Sequence, residues 1–271
     1  MSVLLFRWTA RLWRGPAVWW PLGWGIYVLA VGAVIISISR TIDFEAYLRA
    51  LPPAMASAFG LGGTGPSGER YSGAIYILGA QLFGSALIVA AIFAMFVAPG
   101  LIARDAERGT LDTLLARPIA HRTYAATRIL FFATVAVAFG AATLAASALA
   151  FGPIGGYDVP WGGLIACSAL LTLGALAFGA VGCAVAAARL STGAGTAAIA
   201  VLLGAMFVLN LAASANDQLD PLARLSFFHY WQPIPILFSG VLEADAVAVY
   251  GGVAILAGLL VIVIFERRDI A

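Results

Sequence analysis

The amino-acid sequence predicts an all-α, polytopic membrane protein with six transmembrane helices. Three observations lead there. Of the 271 residues, 62% are apolar and only 10% are charged, whereas a soluble domain carries about 25% charge. Mean hydropathy is +0.99. The few charges are also unevenly spread, leaving charge-free stretches of the ~20 residues that a bilayer core of about 30 Å demands of a helix. These stretches run over 15–39, 71–103, 129–157, 159–188, 190–216, 225–242 and 246–265.

Taken in order, the elements of this single transmembrane domain, residues 1–271, begin with an interfacial helix over 1–14. Arg7, Arg11 and Arg14 share one helical face there and Leu5, Trp8 and Leu12 lie opposite, a pattern that lays a helix along a leaflet. The apolar stretch that follows is too long for a signal-peptide h-region and lacks an A-x-A cleavage site. Spans are expected at about 16–39, 74–101, 126–151, 164–188, 193–213 and 246–265. The second stretch would be about 50 Å long as one helix, so one of its ends must leave the membrane. Before it, Gly60, Gly62, Gly63, Gly65, Pro66 and Gly68 mark an outer loop rich in turns. The stretch 225–242 carries Pro233 and Pro235 in its middle, and each ring removes a helix donor. It reads as a re-entrant outer segment within 214–245, covered by protein as broken backbone at membrane depth requires. Small residues in the later spans, Ala175-x-x-x-Gly179 and the Gly251-Gly252 to Gly258 face, predict close helix packing.

Six spans place both termini on one side. That side holds Arg7, Arg11, Arg14, Arg104, Arg108, Arg117, Arg122, Arg128, Arg189, Arg267 and Arg268, against Arg40, Arg49, Arg70 and Arg224 on the other. The positive-inside rule then makes both termini cytoplasmic. A seventh span at 225–242 would move Arg267 and Arg268 outside.

Several chemistries are excluded. The chain has no Lys, so it lacks both the phosphate-binding GxxxxGK[ST] loop and a Schiff-base nucleophile. Cys167 and Cys183 are sixteen residues apart, about 24 Å along a helix, and cannot pair with each other; they read as small apolar residues. His121 and His229 are isolated and form no metal site. No span contains an acid or a His to carry a coupling ion. The intramembrane polar residues are Gln81, Thr143, Ser147, Thr172 and Asn210, with Gln81 and Asn210 expected either to bond a neighbouring helix or to line a path. No catalytic residue is expected, and no nucleic-acid partner.

Charge is concentrated in the connection 104–122. Gly109 breaks the preceding helix, Thr110 can cap a new one, and Leu111, Leu114 and Leu115 line one face until Pro118 stops it. Both signs are interleaved, through Arg104, Asp105, Glu107, Arg108, Asp112, Arg117 and Arg122, which suits docking to a soluble protein better than contact with lipid.

The run Asp105-x-Glu107-x-Gly109-Thr110-Leu111-Asp112-x-Leu114-Leu115-x-x-Pro118-x-x-x-Arg122 resembles the signature between the second and third spans of type-2 ABC transporter permeases, the membrane subunits of bacterial exporters. Leu225-Ser226-Phe227-Phe228-His229-Tyr230-Trp231-x-Pro233 is similar to the family's aromatic outer segment before the last span, and Phe265-Glu266-Arg267-Arg268-Asp269 to its ending. One departure is Arg128 where the family often has Lys, and the charge is kept. The resemblance implies a permease in a bacterial plasma membrane that pairs with a second permease subunit and docks a separate ATP-binding-cassette ATPase subunit. ATP and Mg would bind that partner, and this chain would hold no cofactor. Thr110 to Ala116 would be the coupling helix, supported by Glu107, Arg108 and the amino-terminal helix. Phe227, Phe228, Tyr230 and Trp231 would form an outer gate, with Gln81 and Asn210 on the path. Two other classes compete: an ATP-independent channel or secondary carrier, and a non-transporting membrane scaffold.

Overall fold

The computed structural model describes residues 3–39, 73–111, 120–215 and 220–267. In hydrocarbon a backbone must satisfy its own hydrogen bonds, and the described residues are helical with no strand. Helix α1 (Val3–Leu12) leads into α2 (Arg14–Ser39); α3 (Gly73–Gly84) is followed after Ser85 by α4 (Ala86–Glu107). Next, α5 (His121–Leu149) runs into a π-helical turn (Ala150–Ile154), and α6 (Trp161–Arg189) into α7 (Thr192–Ala215). Three short helices, α8 (Asp220–Ala223), α9 (Phe227–Tyr230) and α10 (Pro233–Ser239), precede α11 (Ala244–Glu266).

Among the described residues six helices are long and apolar enough to cross a membrane: Arg14–Ile38, Gly79–Glu107, His121–Ile154, Trp161–Arg189, Thr192–Ala213 and Ala244–Glu266. Their number is the six expected, and the second runs Gly79–Glu107 where 74–101 is expected. The overlong second stretch breaks at Ser85, and its 22-residue lower part alone reaches about 33 Å. The proline-bearing stretch 225–242 does not span. Pro233 opens α10 at its first turn, where its missing donor costs nothing, and Gly240 closes it.

Helix α6 is the centre of the bundle, packed against α4, α5, α7, α10 and α11. Its inward positions are small, and at Gly163 the carbonyl of Leu237 in α10 occupies the space a Cβ would need. Only glycine lets the re-entrant segment seat its backbone there. Ala175 is buried and Gly179 lies under the Phe132 ring, as the small-residue pattern predicts. Gly251, Gly252 and Gly258 differ, for a side chain at each would meet open space. Gly258 instead borders an apolar groove of about 400 Å³ with walls from α5, α6 and α11.

An aromatic column joins α2, α4 and α5. Phe93 stacks on Phe139 at 4.9 Å and on Phe132 at 5.8 Å, and Trp24 stacks on Phe139 at 5.7 Å while donating Nε1–H to Thr143 Oγ1 at 2.9 Å. Helix α1 lies across the bundle end. Trp8 touches Arg128 of α5, and Trp13, five residues later, touches Arg104 of α4. The buried face of this segment is Leu5, Thr9 and Trp13. Trp8 and Leu12, expected on the same face as Leu5, are exposed, because the helix divides its surface three ways: protein, arginine face and an apolar edge between them.

Candidate functional site

The arginine-rich end holds the connection that leaves α4. Gly109, at φ +68°, takes the left-handed conformation open to glycine. Its N–H donates to the Ala106 carbonyl at 3.0 Å, and the Thr110 N–H to the Asp105 carbonyl at 2.9 Å, the two bonds of a Schellman close. Thr110 Oγ1 also donates to the Asp105 carbonyl, at 3.1 Å. The hydroxyl therefore seals α4, since the turn at Gly109 brings it back over that helix's last free carbonyls; the residues it is expected to cap lie outside the described residues.

Within the motif the charged side chains take separate partners. Asp105 faces inward and pairs with Arg128 of α5, the guanidinium being 1% exposed and the carboxylate 13%. Tyr124 O–H donates to the same Oδ2 at 2.7 Å. The guanidinium also faces the Trp8 ring at 5.2 Å and the Tyr124 ring at 5.0 Å, and Tyr124 meets Phe265 at the end of α11. Arg128 Nε and Nη1 are buried without a hydrogen-bond partner among the described residues. Glu107 reaches the start of α7, where its carboxylate accepts from Thr192 N–H at 2.6 Å and Thr192 Oγ1 at 2.8 Å. An acid at a helix N-terminus satisfies free donors and complements the dipole. Arg104 stands over the Trp13 ring at 5.1 Å.

The motif thus ties α4 to α1, α5 and α7, leaving Arg108, Gly109 and Thr110 exposed. Leu111 is 2% exposed and packs inward. Arg122 is exposed in the first turn of α5. Asp112, Leu114, Leu115 and Pro118, and with them most of the expected coupling helix, lie outside the described residues.

At the opposite end α9 and α10 are stitched to the spans through side-chain bonds to main-chain carbonyls. Trp231 Nε1–H donates to the Phe83 carbonyl at the α3/α4 break, 3.1 Å away. Tyr250 O–H of α11 donates to the Phe227 carbonyl at 2.7 Å, and Ser226 Oγ to the Met206 carbonyl of α7 at 2.7 Å. Cys167 Sγ donates to the Pro233 carbonyl at 3.4 Å, a bonding role beyond the small apolar residue expected. Phe227, buried against Phe178 and Tyr250, and Trp231 are packed, whereas Phe228 and Tyr230 are half-buried. Gln81 is exposed on α3 and Asn210 half-buried on α7, neither bonded to another described residue.

Sequence reasoning missed Tyr124, Thr192 and the cation-facing roles of Trp8 and Trp13. One signal was available: Arg128 stands inside an apolar span, where an ionisable residue faces the protein and takes a named partner.

A family model described as ABC-2 family transporter protein matches residues 27–270. No curated protein and no solved structure matches the chain.

Proposed function

We propose that the chain, which belongs to the ABC-2 family of transporter proteins, is the permease subunit of an ATP-driven exporter, working as one of a pair with a separate ATP-binding-cassette ATPase docked on each. The observation that carries this reading is the wiring of the Arg104–Leu111 connection. Its exposed tip, Arg108 to Thr110, stands on side chains fastened to three other helices. A push on that tip reaches α5 through Asp105 and Arg128, α7 through Glu107 and Thr192, and α1 through Arg104 and Trp13. ATP binding closes the ATPase pair, drives the connection, and turns the helices as rigid bodies toward the outward-open state. The segment Thr110 to Ala116 is the coupling helix. The Phe227–Trp231 segment closes the outer side, and Gln81 and Asn210 face the path between the two subunits. Their mild polarity among apolar walls suits a hydrophobic or amphipathic cargo. The arginine-rich end faces the cytoplasm of a bacterial cell.

The test is co-expression with a candidate ATP-binding-cassette ATPase subunit. The variant Arg108→Glu/Leu114→Asp changes the docking segment and leaves Asp105, Glu107 and Arg128 in place. It is expected to insert normally, to stop copurifying with the ATPase, and to lose ATP-dependent transport at least about tenfold, equal to about 1.4 kcal/mol of docking. Retained copurification with full transport overturns the assignment.

A further inference from the structure

Helix α1 presents an unclaimed surface. Leu4 is 78% exposed, Trp8 37% and Leu12 54%, and this apolar edge borders exposed Arg7, Arg11 and Arg14. The first acid in the chain is Asp43, and none of the three arginines bonds to another described residue. The acids of α4 are already engaged, Asp105 with Arg128 and Glu107 with Thr192, and exposed Glu266 at the end of α11 bonds none of the three arginines. Because α1 lies across the ends of α4 and α5, its exposed apolar edge meets the membrane and its arginines sit at headgroup depth.

We propose that α1 is a sensor of anionic lipid, and that Trp8 relays lipid occupancy to the connection at Asp105. Charge complementarity selects the partner: three exposed cations with no counter-ion among the described residues favour acidic headgroups by roughly fivefold each, roughly a hundredfold together. Apolar contact alone would favour any lipid equally. The relay follows from one residue having two faces. Trp8 touches the leaflet on one side and on the other holds the Arg128 guanidinium, whose other partners among the described residues include Asp105 and Tyr124. With Nε and Nη1 unbonded, the guanidinium is positioned by those rings and one carboxylate, so a shift of Trp8 moves the charge that holds Asp105. Trp13, buried beneath Gly100 and Arg104, is the fixed end about which α1 tilts.

The experiment uses the full permease chain alone, so its failure is separate from failure of the ATPase assignment. The chain is placed in nanodiscs of phosphatidylcholine, or of phosphatidylcholine doped with phosphatidylglycerol, and amide hydrogen exchange is followed over residues 3–12 and 104–111. Acidic lipid is expected to slow exchange in both segments severalfold. Arg7→Gln/Arg11→Gln/Arg14→Gln should lose both effects, and Trp8→Leu should keep the first and lose the second. Equal exchange in the two bilayers overturns the proposal, as does slowing confined to 3–12 in the unmodified chain. Slowing of 104–111 that survives Trp8→Leu overturns the relay.

Discussion

At the scale of single residues, the unusual feature is a guanidinium withdrawn from water at a membrane-spanning helix. A buried ion pair adds little net stability, because desolvation of both charges offsets their attraction, yet removing one partner strands the other at a cost of about 3 kcal/mol or more. Arg128, 1% exposed with Asp105 its ion-pair partner, is in that position. Asp105→Ala should therefore lower the unfolding midpoint sharply, followed by tryptophan fluorescence in detergent. Asp105→Leu/Tyr124→Phe/Arg128→Met removes both charges and the hydroxyl that Asp105 satisfies, and should unfold within about 1 kcal/mol of the original protein. ATP-driven transport should nonetheless stay lost in the triple variant, since stability is restored without a link between α4 and α5. A triple variant as unstable as Asp105→Ala would show that the charges, and not the packing, hold this corner. Full transport in it would show that α4 signals to α5 by another route.

At the scale of elements, α4 contains a break that explains why α7 lies where it does. Pro99 stands inside the helix and has no N–H for the carbonyl of Met95, four residues earlier. Thr196 Oγ1 of α7 supplies the missing donor at 3.2 Å, and Cys183 Sγ of α6 donates to the adjacent Ala98 carbonyl at 3.3 Å. Thr196→Val should cost between about 0.6 and 1.7 kcal/mol, the range of interhelical hydrogen bonds in membranes. In a Pro99→Ala background the helix can bond Met95 itself, so the same substitution should cost measurably less. Equal costs in the two backgrounds would mean that Thr196 acts by packing alone. This pairing was not legible in the sequence, nor were the bonds from Trp231, Tyr250 and Cys167 to main-chain carbonyls. A proline announces which carbonyl it orphans, but the donor comes from a helix whose rotation only packing decides. Legible instead were the six spans, set by length and apolarity, the halt at Gly109, and the broken helix around Pro233, each fixed by local chemistry. The faces of α1 were half legible, because periodicity separates polar from apolar but cannot divide the apolar side between protein and lipid.

At the scale of the whole molecule, the two ends are held by different chemistry. The arginine-rich end uses charge, through Asp105 with Arg128, Glu107 on the α7 N-terminus and Arg104 on Trp13. The other end uses neutral donors on carbonyls, from Ser226, Trp231, Tyr250 and Cys167. Arginine resists translocation while neutral groups do not, so the proposed function predicts an orientation: the charged end is expected to stay with the cytoplasm, and the α9–α10 segment to cross with its loops. The two native thiols are buried and should be silent to an impermeant thiol reagent, which makes single introduced cysteines clean reporters. Arg267 and Asp158 are both exposed and lie at opposite ends of the spans on a six-span path. In intact cells Asp158→Cys should be labelled and Arg267→Cys should react only after the membrane is opened. Labelling of Arg267→Cys from outside would require an odd number of crossings, turning α9 and α10 from a re-entrant segment into a span and separating α11's end from the Tyr124 ring that it meets through Phe265. The contact between Phe265 and the Asp105 cluster therefore makes the orientation and the site one proposition, tested by the same two cysteines.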